Sequence, residues 1–144
     1  EVALGYHRNQ QYSITAMTTS TGAVAERYAY TAYGQPTILN ASGTVLTNSA
    51  VGNRYTYTGR EWDETLGLHH FRARWMSPLA GRFLGRDPIG YVGSEWSLYE
   101  FCGGMMPNAV DLSGLMPLWD PGTALPWNFP GLRDRPFPLP VSFM

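Results

Sequence analysis

The sequence has no lysine, a single cysteine and little charge of either sign. All ten basic residues are arginines, and against eleven acidic residues they leave a net charge of -1. Without a basic surplus there is no electrostatic case for binding nucleic acid or an anionic membrane surface. The lone Cys102 excludes an internal disulfide and a cysteine metal cluster. No apolar run approaches the roughly 20 residues of a membrane helix, so no membrane span is expected.

The residues that are abundant favour β structure. The chain holds 16 glycines and nine tyrosines, and aromatic residues make up 14% of it. Tyr, Thr and Val suit a pleated, half-buried surface better than a helix, and glycines end each short run of them. Segments 23–30 and 54–58 are examples. The pattern predicts a mainly β fold of short antiparallel strands and hairpins.

Two glycines lie at turns between runs that are typical of strands. Gly22 and Gly43 are 21 residues apart in the sequence, which indicates two hairpins and an internal repeat. Repeat units of this kind bury their faces against neighbouring units. We therefore expect residues 1–144 alone to be marginally stable or to associate.

Segment 69–76 alternates aromatic and basic side chains, so the pattern predicts one continuous strand. Neighbouring residues of a strand face opposite ways, which separates His69 from His70. With no third ligand beside them, we expect no metal site. Arg72 and Arg74 on the basic face, together with Arg82, are expected to form ion pairs with three acidic residues earlier in the chain, Glu61, Asp63 and Glu64.

The last 29 residues, 116–144, differ in composition from the rest. Seven prolines fall in this segment, which excludes regular helix and central strand. The sequence predicts an irregular, Pro-rich tail. Its aromatic residues, like the exposed Tyr and Trp faces expected elsewhere, could contact a partner.

Two Asp-x-x-Gly segments stand out, one beginning at Asp87 and one at Asp111. Asp opens turns and Gly closes them with positive φ, so a purely structural role explains both. If the two turns meet, however, their carboxylates share a proton, which is the chemistry of aspartic proteolysis. Arg86 precedes Asp87 and suits either a cation that keeps a carboxylate ionised or an ordinary surface position.

An ordered series of motifs between Tyr57 and Leu115 resembles the RHS repeat-associated core domain of RHS/YD-repeat proteins. Segment 22–34 is similar to a YD repeat, with Thr31 in the place of its Asp. The matching motifs of the core are Tyr57-x-Gly59-Arg60-Glu61, Glu64-Thr65-x-Gly67-Leu68, Phe71-Arg72-Ala73-Arg74-Trp75, Pro78, Gly81-Arg82-Phe83-Leu84, Arg86-Asp87-Pro88-Ile89-Gly90, Leu98-Tyr99 and Asp111-x-Ser113-Gly114-Leu115.

The resemblance implies three parts: YD-repeat-like β-hairpins over 1–53, the core over 54–115 and a variable tail over 116–144. It implies a segment that closes one end of a β-shell. The shell's other walls would be upstream repeats of the same polypeptide, in a larger bacterial protein that is secreted or held at the cell surface. It implies no cofactor.

The resemblance further implies that Asp87 and Asp111 form an aspartyl self-cleaving site, with Arg86 beside them. The cut would fall between Leu115 and Met116 and would free a C-terminal segment, often a toxin cargo. The alternative is a module without catalysis, either a structural plug or a domain that binds a cell-surface or carbohydrate partner.

Overall fold

The computed structural model describes residues 3–92, 97–106, 109–115 and 117–119. These residues form three antiparallel sheets, of five, four and two strands, which confirms the predicted fold class. Helical turns within the described ranges are limited to three 3-10 segments, Tyr57–Gly59, Gly90–Val92 and Cys102–Gly104. In the same ranges, no helix is long and apolar enough to cross a membrane.

The first sheet is a meander in which each strand pairs with the next along the chain. Its strands are β1 (Leu4–Arg8), β2 (Ile14–Thr19), β3 (Val24–Tyr30), β4 (Pro36–Asn40) and β5 (Val45–Leu46). All pairings are antiparallel. Because every contact is local in sequence, short runs of Tyr, Thr and Val separated by turns are enough to specify it.

The four turns of this sheet share one hydrogen-bond pattern. In each five-residue turn, the amide of the first residue donates to the carbonyl of the fifth, and the amide of the fourth residue donates to the carbonyl of the first. The fourth residue is Gly22 (φ 84°), Gly34 (φ 86°) or Gly43 (φ 86°) in three turns and Tyr12 (φ 65°) in the first. This is a three-residue hairpin loop closed by a left-handed residue. The hairpins predicted at Gly22 and Gly43 are confirmed, at equivalent positions.

A buried carboxylate joins the first sheet to the chain that leaves it. Glu26 is 1% exposed. It accepts hydrogen bonds from the Ser49 hydroxyl (2.9 Å) and from the amides of Ala50 (2.5 Å) and Val51 (3.2 Å). The Tyr28 hydroxyl donates to it as well. Glu26 therefore fixes segment 49–51 to this sheet, whose small apolar core consists of Ile14, Met17, Tyr28 and Ile38.

The second sheet contains β6 (Glu61–Asp63), β7 (Leu68–His70), β8 (Trp75–Ser77) and β9 (Arg82–Phe83). The prediction of one strand over 69–76 is wrong. A turn separates β7 from β8: Phe71 donates its amide to the Arg74 carbonyl at 2.9 Å, and Arg72 takes φ 62°. Alternation of residue types gives no sign of this turn. This turn reverses the chain, and as a result the Arg74 side chain is buried, at 5% exposed, and does not lie on a solvated basic face.

An aromatic cluster fills the space beneath the second sheet. The rings of Phe71, Phe83 and Phe101 meet edge to face, with centroids 5.1 to 5.7 Å apart. Such edge-to-face pairs stabilise beyond the area they bury. His69 is fully buried beside this cluster and His70 is half-buried, so the prediction that they face opposite ways is confirmed.

The third sheet is a hairpin of β10 (Ala109–Asp111) and β11 (Pro117–Trp119). Both strands of a two-stranded sheet are edges, so a proline at the start of β11 is tolerated. The first residues of the predicted irregular tail are therefore paired. The tail from 120 to 144 lies outside the described residues. The divisions predicted at 53/54 and 115/116 stay predictions.

Candidate functional site

The first acidic turn is closed by the side chain of its own aspartate. Asp87 is 5% exposed. One carboxylate oxygen, Oδ1, accepts the Ile89 amide at 3.0 Å, and the Asp87 carbonyl accepts the Gly90 amide at 3.0 Å. The Asp87 amide donates to the Leu98 carbonyl at 2.8 Å. This is the local bonding that favours Asp at the start of a turn, and it leaves the second carboxylate oxygen for another partner.

The second acidic turn has the same construction and is buried more deeply. Asp111 is 1% exposed, and its Oδ1 accepts the amides of Ser113 at 3.0 Å and Gly114 at 2.7 Å. Burial raises the pKa of Asp111, while these two amides and the Arg74 guanidinium oppose the rise. Removal from water disfavours the charged carboxylate, and this effect of burial is the largest on the Asp111 pKa.

Arg74 joins the two turns. Its Nη2 lies 2.9 Å from Asp87 Oδ2, and its Nε donates to the Gly114 carbonyl at 2.5 Å. A third bond runs from Nη1 to the Leu98 carbonyl at 3.2 Å. The guanidinium also stacks on the Phe83 ring, 3.7 Å from its centroid. One rigid, planar cation therefore contacts the first aspartate and the backbone of the second turn.

The turn between β7 and β8 also contacts the backbone of the second acidic turn, at residues 113 and 114. The Ala73 amide donates to the Ser113 carbonyl at 3.2 Å. Gly114 has φ 74°, and a Cβ there would lie far inside contact distance of the Phe71 carbonyl oxygen. Only glycine allows this approach. Residues 113 and 114 are consequently held by three kinds of contact: the Ala73 amide, the Arg74 side chain and the close packing of Gly114 against Phe71.

Asp111 interacts electrostatically with two arginines, Arg60 and Arg74. Asp111 raises the pKa of Arg60 and of Arg74, although burial lowers both. Arg72 lies close enough to Arg60 to lower the pKa of Arg60 further. Asp87 also raises the pKa of Arg74. Both carboxylates therefore lie within the field of Arg74, which makes Arg74 the electrostatic centre of the site.

Several predicted partners differ from those observed. The expected pairing of Arg74 with acidic residues 61–64 is wrong, because Arg74 pairs with Asp87. Within that acidic group, Glu61 pairs with Arg54 at 2.5 Å. Arg86 is exposed and lines an open groove together with Trp75. The buried cation beside Asp87 is thus Arg74. Sequence reasoning singled out Arg86 because it is adjacent in the chain, whereas the contact of Arg74 depends on tertiary structure.

The predicted cut falls in the loop between β10 and β11. Leu115 is half-buried, and its amide donates to the Ser113 hydroxyl at 3.2 Å. Leu115 directly follows Gly114, whose carbonyl Arg74 holds. Met116 lies outside the described residues. The predicted scissile bond is therefore one residue removed from a carbonyl that the site binds.

The other chemically active side chains of the core have structural partners. His69 Nε2 lies 2.8 Å from the Gly34 carbonyl, and burial lowers the pKa of His69 to about 4. Burial raises the pKa of Cys102 to about 12, which makes it an inert thiol. Among the described residues, no group of three His, Cys, Asp or Glu could hold a metal ion.

Comparisons with known proteins agree with this architecture. No protein-family model matches the chain. The tRNA nuclease WapA of Bacillus subtilis (strain 168) is 41% identical over 83 residues, which is 58% of this chain and 3% of that protein. Salivary gland surface protein 1 of Aedes aegypti is 30% identical over 119 residues, 77% of this chain and 3% of that protein.

The crystal structure of TcdB2-TccC3, an RHS-repeat toxin, superposes with a TM-score of 0.58 and 25% identity, over 70% of this chain and 5% of that chain. A form without the hypervariable C-terminal region gives a TM-score of 0.59 at 24% identity. The fold shared with this form is therefore separate from that hypervariable region. These similarities show that the chain is RHS-related. It spans about 3% of the length of the first relatives it matches.

Proposed function

We propose that this chain is an RHS repeat-associated core that closes one end of a β-shell and cuts its own backbone after Leu115. One observation carries the proposal. The two acidic turns meet through Arg74, and the same guanidinium holds the Gly114 carbonyl. In the proposal, the two carboxylates and the segment to be cut act around this buried guanidinium.

The environments of the two carboxylates assign their roles. Asp87 Oδ2 lies 2.9 Å from Arg74 Nη2, and we assign this ion-paired carboxylate as the general base. Burial raises the pKa of Asp111, which favours the protonated form that a general acid needs. Environments that differ in this way separate acid from base in a pair of like groups. Asp87 is thus the base and Asp111 the acid.

In the proposed reaction, Asp87 takes a proton from a water molecule as the water oxygen bonds to the Leu115 carbonyl carbon. Asp111 gives its proton to the carbonyl oxygen. The tetrahedral diol then collapses: Asp87 gives its proton to the Met116 nitrogen as the C–N bond breaks, and Asp111 regains its proton from one hydroxyl as the C=O bond re-forms. The products are a carboxyl group on Leu115 and an α-amine on Met116, so the net change is the addition of one water.

The structural half of the proposal rests on the edge of the first sheet. β1 is one of the two outer strands of this sheet as the described residues form it, and its residues from Gly5 to Arg8 are exposed. An exposed strand edge is a template for another strand. In the proposal, upstream repeats of the same polypeptide pair with this edge and continue the shell. The parent protein would be bacterial and secreted or held at the cell surface, with cargo after Leu115.

The alternative is a module without catalysis that binds a cell-surface or carbohydrate partner. Exposed aromatic residues favour it: Tyr6, Tyr12 and Tyr55 are 46%, 55% and 54% exposed. Aromatic faces of this kind are enriched at binding surfaces. A pulldown from a cell-surface extract, with these three tyrosines changed to serine as control, tests it.

The self-cleavage proposal is tested by intact mass. The parent protein, with the upstream repeats that position the site in this proposal, is purified together with Asp87→Asn and Asp111→Asn variants. We expect the unchanged parent to be cut after Leu115 and to release segment 116–144, and each variant to stay whole, since each loses half of the acid–base pair while keeping its shape. Arg86→Ala should slow the cut less.

Asp63→Asn is the matched control. The Asp63 carboxylate also caps a turn, accepting the Thr65 and Leu66 amides at 2.9 Å, but it lies outside the site. This variant should be cut as fast as the unchanged chain. An uncut parent chain, or an Asp87 or Asp111 variant cut at the parent rate, would show that the two turns are only structural.

A further inference from the structure

Arg74 uses its donors in a way that no other side chain could reproduce. Three different nitrogens bond to three partners, namely Asp87, Gly114 and Leu98, while the face of the group stacks on Phe83. Guanidinium is planar and presents its donors in a fixed fork. Lysine carries a single nitrogen on a flexible stem and cannot bond in three directions while stacking.

Stability alone gives little reason for this arrangement. The side chains of the Arg74–Asp87 pair are 4% and 3% exposed. Removing two charges from water offsets most of their attraction, and apolar replacements of buried ion pairs are often as stable or more so. A buried pair at the junction of two acidic turns is therefore better explained by what it positions than by the stability it adds.

We propose that Arg74 is the positioning residue of the self-cleavage site, setting the register of the segment to be cut against Asp87. The inference rests on the proposed function. Nη2 fixes the base, and Nε fixes the Gly114 carbonyl, one residue before the Leu115 carbonyl that water attacks. Both contacts belong to one rigid plane, so the spacing between base and substrate backbone is set by the dimensions of the guanidinium.

This role predicts separate effects of charge and shape. Arg74→Lys keeps the charge and loses the fork. We expect cleavage to slow by about 100-fold, because small misplacements of reacting groups cost that much. The acidic limb of its pH–rate profile should stay in place, since the site keeps its cation. Arg74→Gln loses the charge too, so its rate should fall and its acidic limb should move to higher pH.

Arg54→Gln is the matched control, because Arg54 is another ion-paired arginine but its side chain is 69% exposed. It should be cut at the parent rate. Thermal melts identify any variant that fails to fold. If an Arg74 variant fails to fold, Arg74→Ala is tested in its place with added methylguanidinium, far below denaturing concentrations. The small cation should refill the vacated position and recover part of the lost cleavage rate.

A readout independent of cleavage is amide hydrogen exchange of residues 109–115, which should be faster in Arg74→Lys than in Arg54→Gln. Two results would contradict the inference and leave the protease assignment in place. In one, the parent is cut and Arg74→Lys is cut equally fast. In the other, both Arg74 variants are cut more slowly, but their pH limbs and their amide exchange are unchanged, so that Arg74 is merely structural. If the parent is not cut, or the Asp87 variant is cut at the parent rate, the proposed function is wrong and the inference fails with it.

Discussion

Lowering the pH from 7 to 4 is expected to destabilise the chain by about 3 kcal/mol through His69 alone. Burial lowers the pKa of His69 from 6.5 to about 4 in the folded chain. The unfolded chain takes up the proton first as the pH falls. The stabilisation due to a neutral His69 is therefore complete above pH 6.5 and is lost as the pH falls towards about 4.

The surroundings of His69 explain the shift. The ring packs against the aromatic side chains of Trp62, at a centroid distance of 4.7 Å, and Tyr57, at 5.8 Å, and Phe71 meets it edge to face. Its polar neighbour is the Gly34 carbonyl, which raises the pKa of His69 by less than burial lowers it. No contact among these supplies a counter-charge, so a buried imidazolium is costly.

The assay is urea unfolding at pH 7 and pH 4 for the unchanged chain and for His69→Gln, which keeps a donor for Gly34 but does not titrate. Asp111 contributes with the opposite sign, because its pKa is raised, and this contribution cancels in the comparison. We expect the unchanged chain to lose about 1 to 2 M more in its urea midpoint. His7→Gln, at an exposed position, is the control. Equal losses in the two chains would refute the reasoning.

Three further predictions follow from single contacts. Gly114→Ala should lower the melting temperature and abolish the cut, because a Cβ collides with the Phe71 carbonyl; Gly90→Ala, with φ 64° and open space around it, should cost only about 1 kcal/mol. Tyr12→Gly should stabilise by about 1 kcal/mol in chemical denaturation, since an exposed Tyr is replaced at a left-handed position; an unchanged midpoint would contradict this. Glu26→Gln should destabilise by about 2 to 4 kcal/mol, measured by urea unfolding, and a change below 1 kcal/mol would count against its clamping role.

The hairpins were predictable because their determinants are local. Gly22 and Gly43 adopt left-handed φ values that glycine takes freely, and flanking runs supply the strands. The Asp87 and Asp111 turns were equally predictable as turns, since each aspartate bonds to amides two or three residues further along. Whether the pair performs acid–base chemistry stays a prediction.

The position of Arg74 could not be predicted in the same way. The turn that buries it requires a left-handed Arg72, and residue type gives no hint of that conformation. Its partners lie 13, 24 and 40 residues away in the sequence. A pattern of alternation specifies which residues share a face of a strand, but it says nothing about where a strand stops when no glycine or proline marks the end.

The hairpin of β10 and β11 has a consequence for what the cut achieves. Ala109, Val110 and Asp111 pair with Trp119, Leu118 and Pro117, and the predicted scissile bond lies in the loop that connects them. Cutting a connecting loop breaks no strand pairing; it changes an intramolecular contact into a bimolecular one. The effective concentration that held the two strands together disappears, and a pairing of three residues is marginal alone. We therefore expect this pairing alone to hold the severed tail only briefly, so the time of its departure is set by whatever else encloses it, and severance and departure are two separate events.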